Sequence, residues 1–340
     1  MDTPGTYVCH DQEEPIASNL LPSMLSQIPV IDMELLLAND HSQLDKLHLA
    51  CKDWGFFQMM NHGVSCLLIE KMKLEVQRFF NLPMEEKKKF GQIEGSMEGY
   101  GQILVSCDEQ NINSWIGKLY MVTLPIHLRK PQLFPNLPLS LRDTLEEYSA
   151  QLKELSEKIF DIMGKALGMK GEDLSEVFDG GEQAMAMYYY PKCPQEDVVM
   201  GLNPHTDLAG LTILSQLNDV EGLHIKKDGA WIPITPLPNA FVINVGDMLE
   251  IVTNEIYKGV EHRPVLNPNK ERLSIATFFK PKRDYYLSPA SSLITPRNPV
   301  KFKQIGTVAD YFKGYFSHQL VGKSYLDTMR LNTKDEEINT

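Results

Sequence analysis

Apolar positions in the first half of the chain recur mostly at three and four. IPVIDMELLL (28–37) predicts a short strand running into a helix, and LDKLHLACKDWGFFQMMNHGV (44–64) a helix, a stop at Gly55 and a short aromatic strand. LLIEKMKLEVQRFFNLP (67–83) predicts an amphipathic helix ended by Pro83. MEEKKKF (84–90) carries blocks of opposite charge and reads as a solvated turn. The stretch holding Pro125, Pro131, Pro135 and Pro138 reads as irregular. Leu145, Tyr148, Leu152, Leu155, Ile159, Ile162 and Ala166 then mark one apolar face of a long helix.

The period changes after Gly180. The short apolar runs GLTILSQL, GLHIKK, WIPITPL, AFVINVG, LEIVTN, EHRPVL and RLSIATFF follow one another with Gly, Pro or Asn between them. A spacing of about ten residues is the signature of an antiparallel sandwich or barrel. Residues 307–330 return to a helical period. The expectation is a mixed α+β chain in four parts: an irregular arm (1–26), a mainly helical region (27–180), a β core (181–285) and a C-terminal helical segment and tail (286–340).

Composition narrows the class. With 340 residues, 43% hydrophobic and 23% charged, the chain has material for one large domain or two intermediate ones, which excludes extended disorder and a collagen-like fibre. No apolar run approaches the ~18 residues that span a bilayer. The charge balance, 33 − 45 = −12, disfavours nucleic acid and anionic membranes as partners. Cys9, Cys51, Cys66, Cys107 and Cys193 are odd in number, widely spaced and without a CxxC pair, which points to reduced thiols. The acidic start lacks a basic segment followed by an apolar one, so a cytoplasmic location is expected.

The candidate chemistry lies in the β region. His205 and Asp207 stand two apart, and in a strand such side chains share a face. His262 follows 55 residues later and could lie opposite. Two imidazoles and a carboxylate form the facial triad of non-haem Fe(II) oxygenases, which leaves open positions on the metal. The same set serves hydrolytic zinc, and His262 could equally be a core histidine. Arg272 and Ser274 share one face of the strand ERLSIATFF. A planar guanidinium there suits the far carboxylate of a dicarboxylate whose other end chelates the metal. Tyr190, in AMYYYPKCPQ, could donate to that carboxylate.

GFFQMMNHGV (55–64), YYPKCPQ (189–195), PHTDLAGLTIL (204–214), the stretch 222–265 and ERLSIATFF (271–279) together resemble plant 2-oxoglutarate/Fe(II)-dependent dioxygenases. The subgroup they are most similar to contains the senescence-related SRG-type proteins and the alkaloid O-demethylases of poppy. The resemblance covers nearly the whole chain. It implies a double-stranded β-helix (jelly-roll) core of the isopenicillin N synthase-like type over 181–285, flanked by helices. It implies Fe(II) held by His205, Asp207 and His262, and 2-oxoglutarate held by Arg272 and Ser274 with Tyr190. It assigns no catalytic side chain beyond the metal centre and leaves His62 a structural residue. The resemblance also implies a place near the substrate pocket for Lys118, Tyr120, Phe278 and Tyr188. The implied activity is hydroxylation or O-demethylation of a plant specialised metabolite (aromatic, alkaloid or terpenoid) by O2, with release of succinate and CO2 and with ascorbate as an assay reductant. An Fe(II) oxidase that does not use 2-oxoglutarate and a non-catalytic small-molecule binding protein are the alternatives.

Three positions depart from the pattern. The arm is short, Tyr188 stands where many relatives have Asn, and Ala186 and Lys280 replace a cation and an acid frequent in flavonoid-oxidising relatives. The last pair weakens a flavonoid-type substrate reading.

Overall fold

The computed structural model describes residues 28–92, 94–106, 113–169, 173–193, 200–317 and 324–331. Strand β1 (Val30–Asp32) runs directly into α1 (Met33–Leu37), because the Asp32 carboxylate accepts from the amides of Glu34 and Leu35 and caps the helix. Helix α2 (His41–Leu49) starts on an Asp40 cap and ends in a wider turn over Ala50–Trp54. Gly55 then turns the chain at φ 62° into β2 (Phe56–Met60), and a Cβ there would meet the Lys258 carbonyl oxygen at 2.2 Å. Helix α3 (Cys66–Asn81) carries the predicted apolar face, with Leu68, Met72, Val76 and Phe79 buried.

Residues 84–88 form a short helix, α4 (Met84–Lys88), rather than a turn. Its charge blocks sit at helical spacing, so Lys88 pairs with Glu85 at 2.9 Å and Lys89 with Glu86 at 2.7 Å. Two strands without a clear period in the sequence follow, β3 (Gly99–Ser106) and β4 (Asn113–Leu124), paired antiparallel. Helix α5 (Leu139–Ala166) buries Leu145, Tyr148, Leu152, Leu155, Ile159 and Ile162 as the periodicity predicts, and α6 (Asp173–Phe178) follows.

The β region contributes β5 (Glu182–Tyr190), β6 (Leu211–Gln216), β7 (Leu223–Lys227), β8 (Ala230–Pro233) and β9 (Phe241–Val245). LEIVTN is not a strand: α7 (Asp247–Val252) occupies it, with all six residues buried. A short apolar run buried on every side has no face to distinguish, so period alone cannot separate strand from helix. The amides of Asp247 and Met248 donate to the carbonyls of Asp207 and Ala209 at 2.7 and 3.1 Å, which docks the helix start onto the His205–Asp207 segment. Strands β10 (His262–Pro264) and β11 (Arg272–Lys280) complete the core, and α8 (Val308–Ser317) and α9 (Ser324–Thr328) close the described chain.

The strands form two sheets. The large one has the order β1-β2-β9-β6-β11-β5-β4-β3 and the small one β10-β7-β8. They face each other as a jelly-roll core with helices outside. The N-terminal half does more than cover this core, because β1 to β4 extend the large sheet at both edges. Among the described residues no helix is long and apolar enough to cross a membrane. Cys51 and Cys66 are free, as reduced thiols would be, whereas Cys193 is disulfide-bonded.

Candidate active site

The two sheets hold a cavity of about 60 Å³, open to solvent on one side, and the predicted metal ligands meet at its wall. His205 and His262 face each other across an antiparallel bridge, each amide donating to the other's carbonyl at 3.0 and 2.9 Å. Only His205 of the HTD segment makes a bridge. Asp207 reaches the site from irregular backbone, and its own carbonyl accepts from the Asp247 amide at the start of α7. Donor atoms of His205, Asp207 and His262 all lie within 4.8 Å of one another. Asp207 Oδ1 is 3.8 Å from Nε2 of His205 and 3.7 Å from Nε2 of His262. These separations are short enough for the three donor atoms to share one ion.

The surroundings point the donors inward. Nδ1 of His205 lies 2.7 Å from the Asn203 carbonyl and Nδ1 of His262 lies 3.1 Å from the Val260 carbonyl. Each Nδ1 carries the proton, which leaves each Nε2 its lone pair for a metal. The other carboxylate oxygen of Asp207 accepts from Thr212 Oγ1 at 2.6 Å and from Asn244 Nδ2 at 2.8 Å, so Oδ1 is the ligand atom. Burial lowers the His262 imidazole to about 4. Burial works against ionisation of Asp207, but the two imidazoles and its two donors outweigh it and hold the carboxyl below its usual range. At neutral pH His262 is therefore a neutral imidazole and Asp207 a carboxylate, as Fe(II) requires. This donor set fits the ion the resemblance implies.

Thr212 and Asn244 escaped the sequence reading, although each is a polar residue in an apolar strand. Their register explains their joint action: Thr212 of β6 pairs with Asn244 of β9.

A second group lines the same cavity. Arg272 is 2% exposed, and its guanidinium donates to Gln216 Oε1 at 3.3 and 3.2 Å and to Ser274 Oγ at 3.5 Å. No carboxylate pairs with it among the described residues. The guanidinium stands 5.1 Å from the centre of the Tyr190 ring. Burial pushes the Tyr190 phenol up to about 12, with Arg272 and Ser274 pulling the other way. Gln216 is a further residue the sequence did not single out. Gly222 is another: a Cβ there would lie 2.7 Å from Arg272 Cδ, so glycine makes room for the arginine.

The remaining predicted residues divide. Tyr188 and Phe278 line the cavity. Tyr120 lies beside Phe278, ring centres 6.4 Å apart, and the Lys118 ammonium stands 5.2 Å from the centre of the Tyr120 ring. Neither Tyr120 nor Lys118 reaches the part of the cavity next to the triad. His62 is buried, accepts from the Val64 amide at 3.1 Å and stacks on Phe241.

Comparison with known proteins agrees with this geometry. Residues 181–281 match the 2OG-Fe(II) oxygenase superfamily, and residues 28–137 match the N-terminal family described as non-haem dioxygenase in morphine synthesis. Over 330 residues the chain is 53% identical to oxoglutarate-dependent flavonoid 7-O-demethylase 1 of Ocimum basilicum, covering 96% of this chain and 87% of that one. The chain belongs to the 2OG-Fe(II) oxygenase superfamily. This oxygenase is also 48% identical to thebaine 6-O-demethylase of Papaver somniferum, over 97% of its own length and 93% of the relative's. Among solved structures it is similar to JOX2 in complex with 2OG, Fe and JA, with TM-score 0.81, 33% identity and 90% of each chain covered. It is a 2-oxoglutarate- and Fe(II)-dependent enzyme acting with O2 on a small molecule. These relatives do not favour an iron oxidase that dispenses with 2-oxoglutarate, or a non-catalytic binding protein.

Proposed function

We propose that this oxygenase removes an O-methyl group from an aromatic specialised metabolite of plants. One methyl ether, O2 and 2-oxoglutarate become a phenol, formaldehyde, succinate and CO2. The observation that carries the co-substrate assignment is Arg272: a buried guanidinium without a carboxylate partner among the described residues, on the cavity that also holds the triad. A buried charge is retained where something completes it. The far carboxylate of 2-oxoglutarate does so, with Ser274 and the Tyr190 phenol as further donors.

His205, Asp207 and His262 hold the iron, which together with 2-oxoglutarate supplies oxygen-dependent oxidation at carbon when bound. The chain's own part is to bind and orient. Thr212 and Asn244 keep Asp207 in one rotamer, the fork of Arg272 fixes the co-substrate's axis, and Phe56, Leu214 and Leu223 exclude water from the cavity. Tyr188 and Phe278 form aromatic walls for the substrate, with Tyr120 and Lys118 beyond them. A methyl carbon oxidised to a hemiacetal loses formaldehyde without help from a protein base.

Three of the relatives are named O-demethylases, of a flavonoid, of thebaine and of codeine. Ala186 and Lys280 do not argue strongly against a flavonoid, because Lys280 is engaged with Glu182 and Tyr120. The test is incubation with iron, 2-oxoglutarate, ascorbate and a panel of methoxylated flavones and alkaloids, reading succinate, formaldehyde and product mass. Demethylation shows formaldehyde and loss of one CH2. Succinate with a gain of one oxygen and no formaldehyde makes the enzyme a hydroxylase instead, and product without succinate removes 2-oxoglutarate from the reaction.

A further inference from the structure

Beyond the metal and Arg272, the cavity face of the large sheet continues onto β4. Lys118 pairs with Tyr188 and Tyr120 with Ala186, so both side chains share the face of the cavity-lining Tyr188. Tyr188 lines the cavity together with His205, Asp207 and His262 and is the strand partner of Lys118, so it stands between the metal site and this second group. Lys118 is half-buried, and among the described residues no carboxylate or other acceptor bonds its ammonium, which burial pulls below the usual range.

Tyr120 is constrained from behind. The Lys280 ammonium lies 3.5 Å from its hydroxyl oxygen. That ammonium is itself paired with Glu182, which also takes Nε and Nη2 of Arg283 at 3.0 and 2.7 Å. An ammonium only donates, so the Tyr120 oxygen is the acceptor and its proton is left to point elsewhere. Lys118 and Tyr120 thus offer hydrogen-bond donors and a positive charge on one face of the sheet, and no carboxylate bonds the Lys118 ammonium among the described residues. This is unusual placement in a chain whose net charge is −12.

We propose that Lys118 and Tyr120 form a donor corner that anchors an acidic phenolic oxygen of the substrate, away from the methyl group that is oxidised. This rests on the demethylase reading above. The flanking rings of Tyr120, Phe278 and Tyr188 favour a flat aryl group, and an acidic oxygen on an aryl group is a phenol. A charge-assisted hydrogen bond from Lys118 to a phenolate corresponds to about ten- to a hundredfold in affinity.

The probes are 4′-hydroxy-7-methoxyflavone and 4′,7-dimethoxyflavone, bound by equilibrium dialysis to the full chain with Fe(II) and 2-oxoglutarate under nitrogen. Binding is read at several pH values from neutrality up to the pKa of the free phenol, so that Lys118 keeps its proton over part of the range. Wild type is expected to prefer the hydroxy compound by about tenfold or more. K118M should erase the preference, K118R should keep most of it, and Y120F should reduce it severalfold. Equal affinity of wild type for the two flavones, binding of neither, or a preference that survives in K118M overturns the proposal. Formaldehyde release from the same compounds in air judges the parent reading separately. Formaldehyde without preference leaves demethylation standing and removes the anchor. Preference without formaldehyde does the reverse.

Discussion

Replacing Arg272 by Met removes the one charge on which the 2-oxoglutarate assignment turns while nearly preserving volume. The guanidinium is fully buried, held by Gln216 and Ser274 and by no carboxylate among the described residues. Substituting an apolar side chain for such a buried charge is often neutral or stabilising, so R272M is expected to fold with unchanged or higher thermal stability. Binding should respond oppositely. Losing one partner of a buried ion pair costs about 3–5 kcal/mol, which at 1.4 kcal/mol per decade is roughly two to three and a half orders of magnitude in Kd. Titration calorimetry of 2-oxoglutarate into protein loaded with Mn(II), which keeps turnover out of the measurement, reads this directly. Thermal unfolding reads it again. At 100 Kd a ligand stabilises by about 2.7 kcal/mol, and after a hundredfold loss of affinity the same concentration gives only about 0.4 kcal/mol. A Kd within threefold of wild type, or a ligand-free R272M destabilised by more than about 2 kcal/mol, would show that the guanidinium serves the fold and not the co-substrate.

Asp207→Ala should abolish stoichiometric iron binding, since one ligand of three is lost; metal analysis after gel filtration showing one iron per chain would remove Asp207 from the centre. Asn244→Leu leaves the triad in place but frees one oxygen of Asp207, so iron affinity should fall about ten- to a hundredfold; an unchanged competition titration against a chelator would refute the positioning role. Gly222→Ala places a Cβ 2.7 Å from Arg272 Cδ and 2.9 Å from the Val265 carbonyl oxygen, so the KM for 2-oxoglutarate should rise while iron content stays full. In Glu182, burial favours the neutral carboxyl, but Lys280 and Arg283 outweigh it and hold the pKa below its usual value. A depressed carboxylate stabilises above its unfolded pKa and loses that contribution as pH falls through the folded value. Glu182→Gln should therefore destabilise by about 3–5 kcal/mol at pH 7. Denaturant midpoints should show the gap from wild type closing below about pH 4.5, and a pH-independent gap would contradict the ion-pair account.

Which residue types carry the chemistry was legible along the chain, because each is a polar exception in an apolar surround: His205, Asp207, His262, Arg272 and Ser274 all interrupt or border strand-forming runs. The long helix α5 and most core strands were legible too, since a buried face imposes its period locally. The turn of helix at Met84–Lys88, the helix at Asp247–Val252 and the β3–β4 strand pair were not. The first is decided by ion pairs at helical spacing, the second by burial on all sides and the third by pairing to β5.

Convergence itself is a tertiary matter. His205 meets His262 only because the short β10 closes the small sheet over the cavity, and Asp207 keeps its aim only because α7, β6 and β9 each hold one part of it. The contrast between the two lysines belongs to the same level. Lys280 is neutralised by Glu182, 98 positions earlier in the chain, while Lys118 has no such partner among the described residues. Local sequence determines helix, strand and the supply of ligand atoms; which charges are paired, and which face a cavity, depends on through-space distances of a few ångström between residues far apart along the chain.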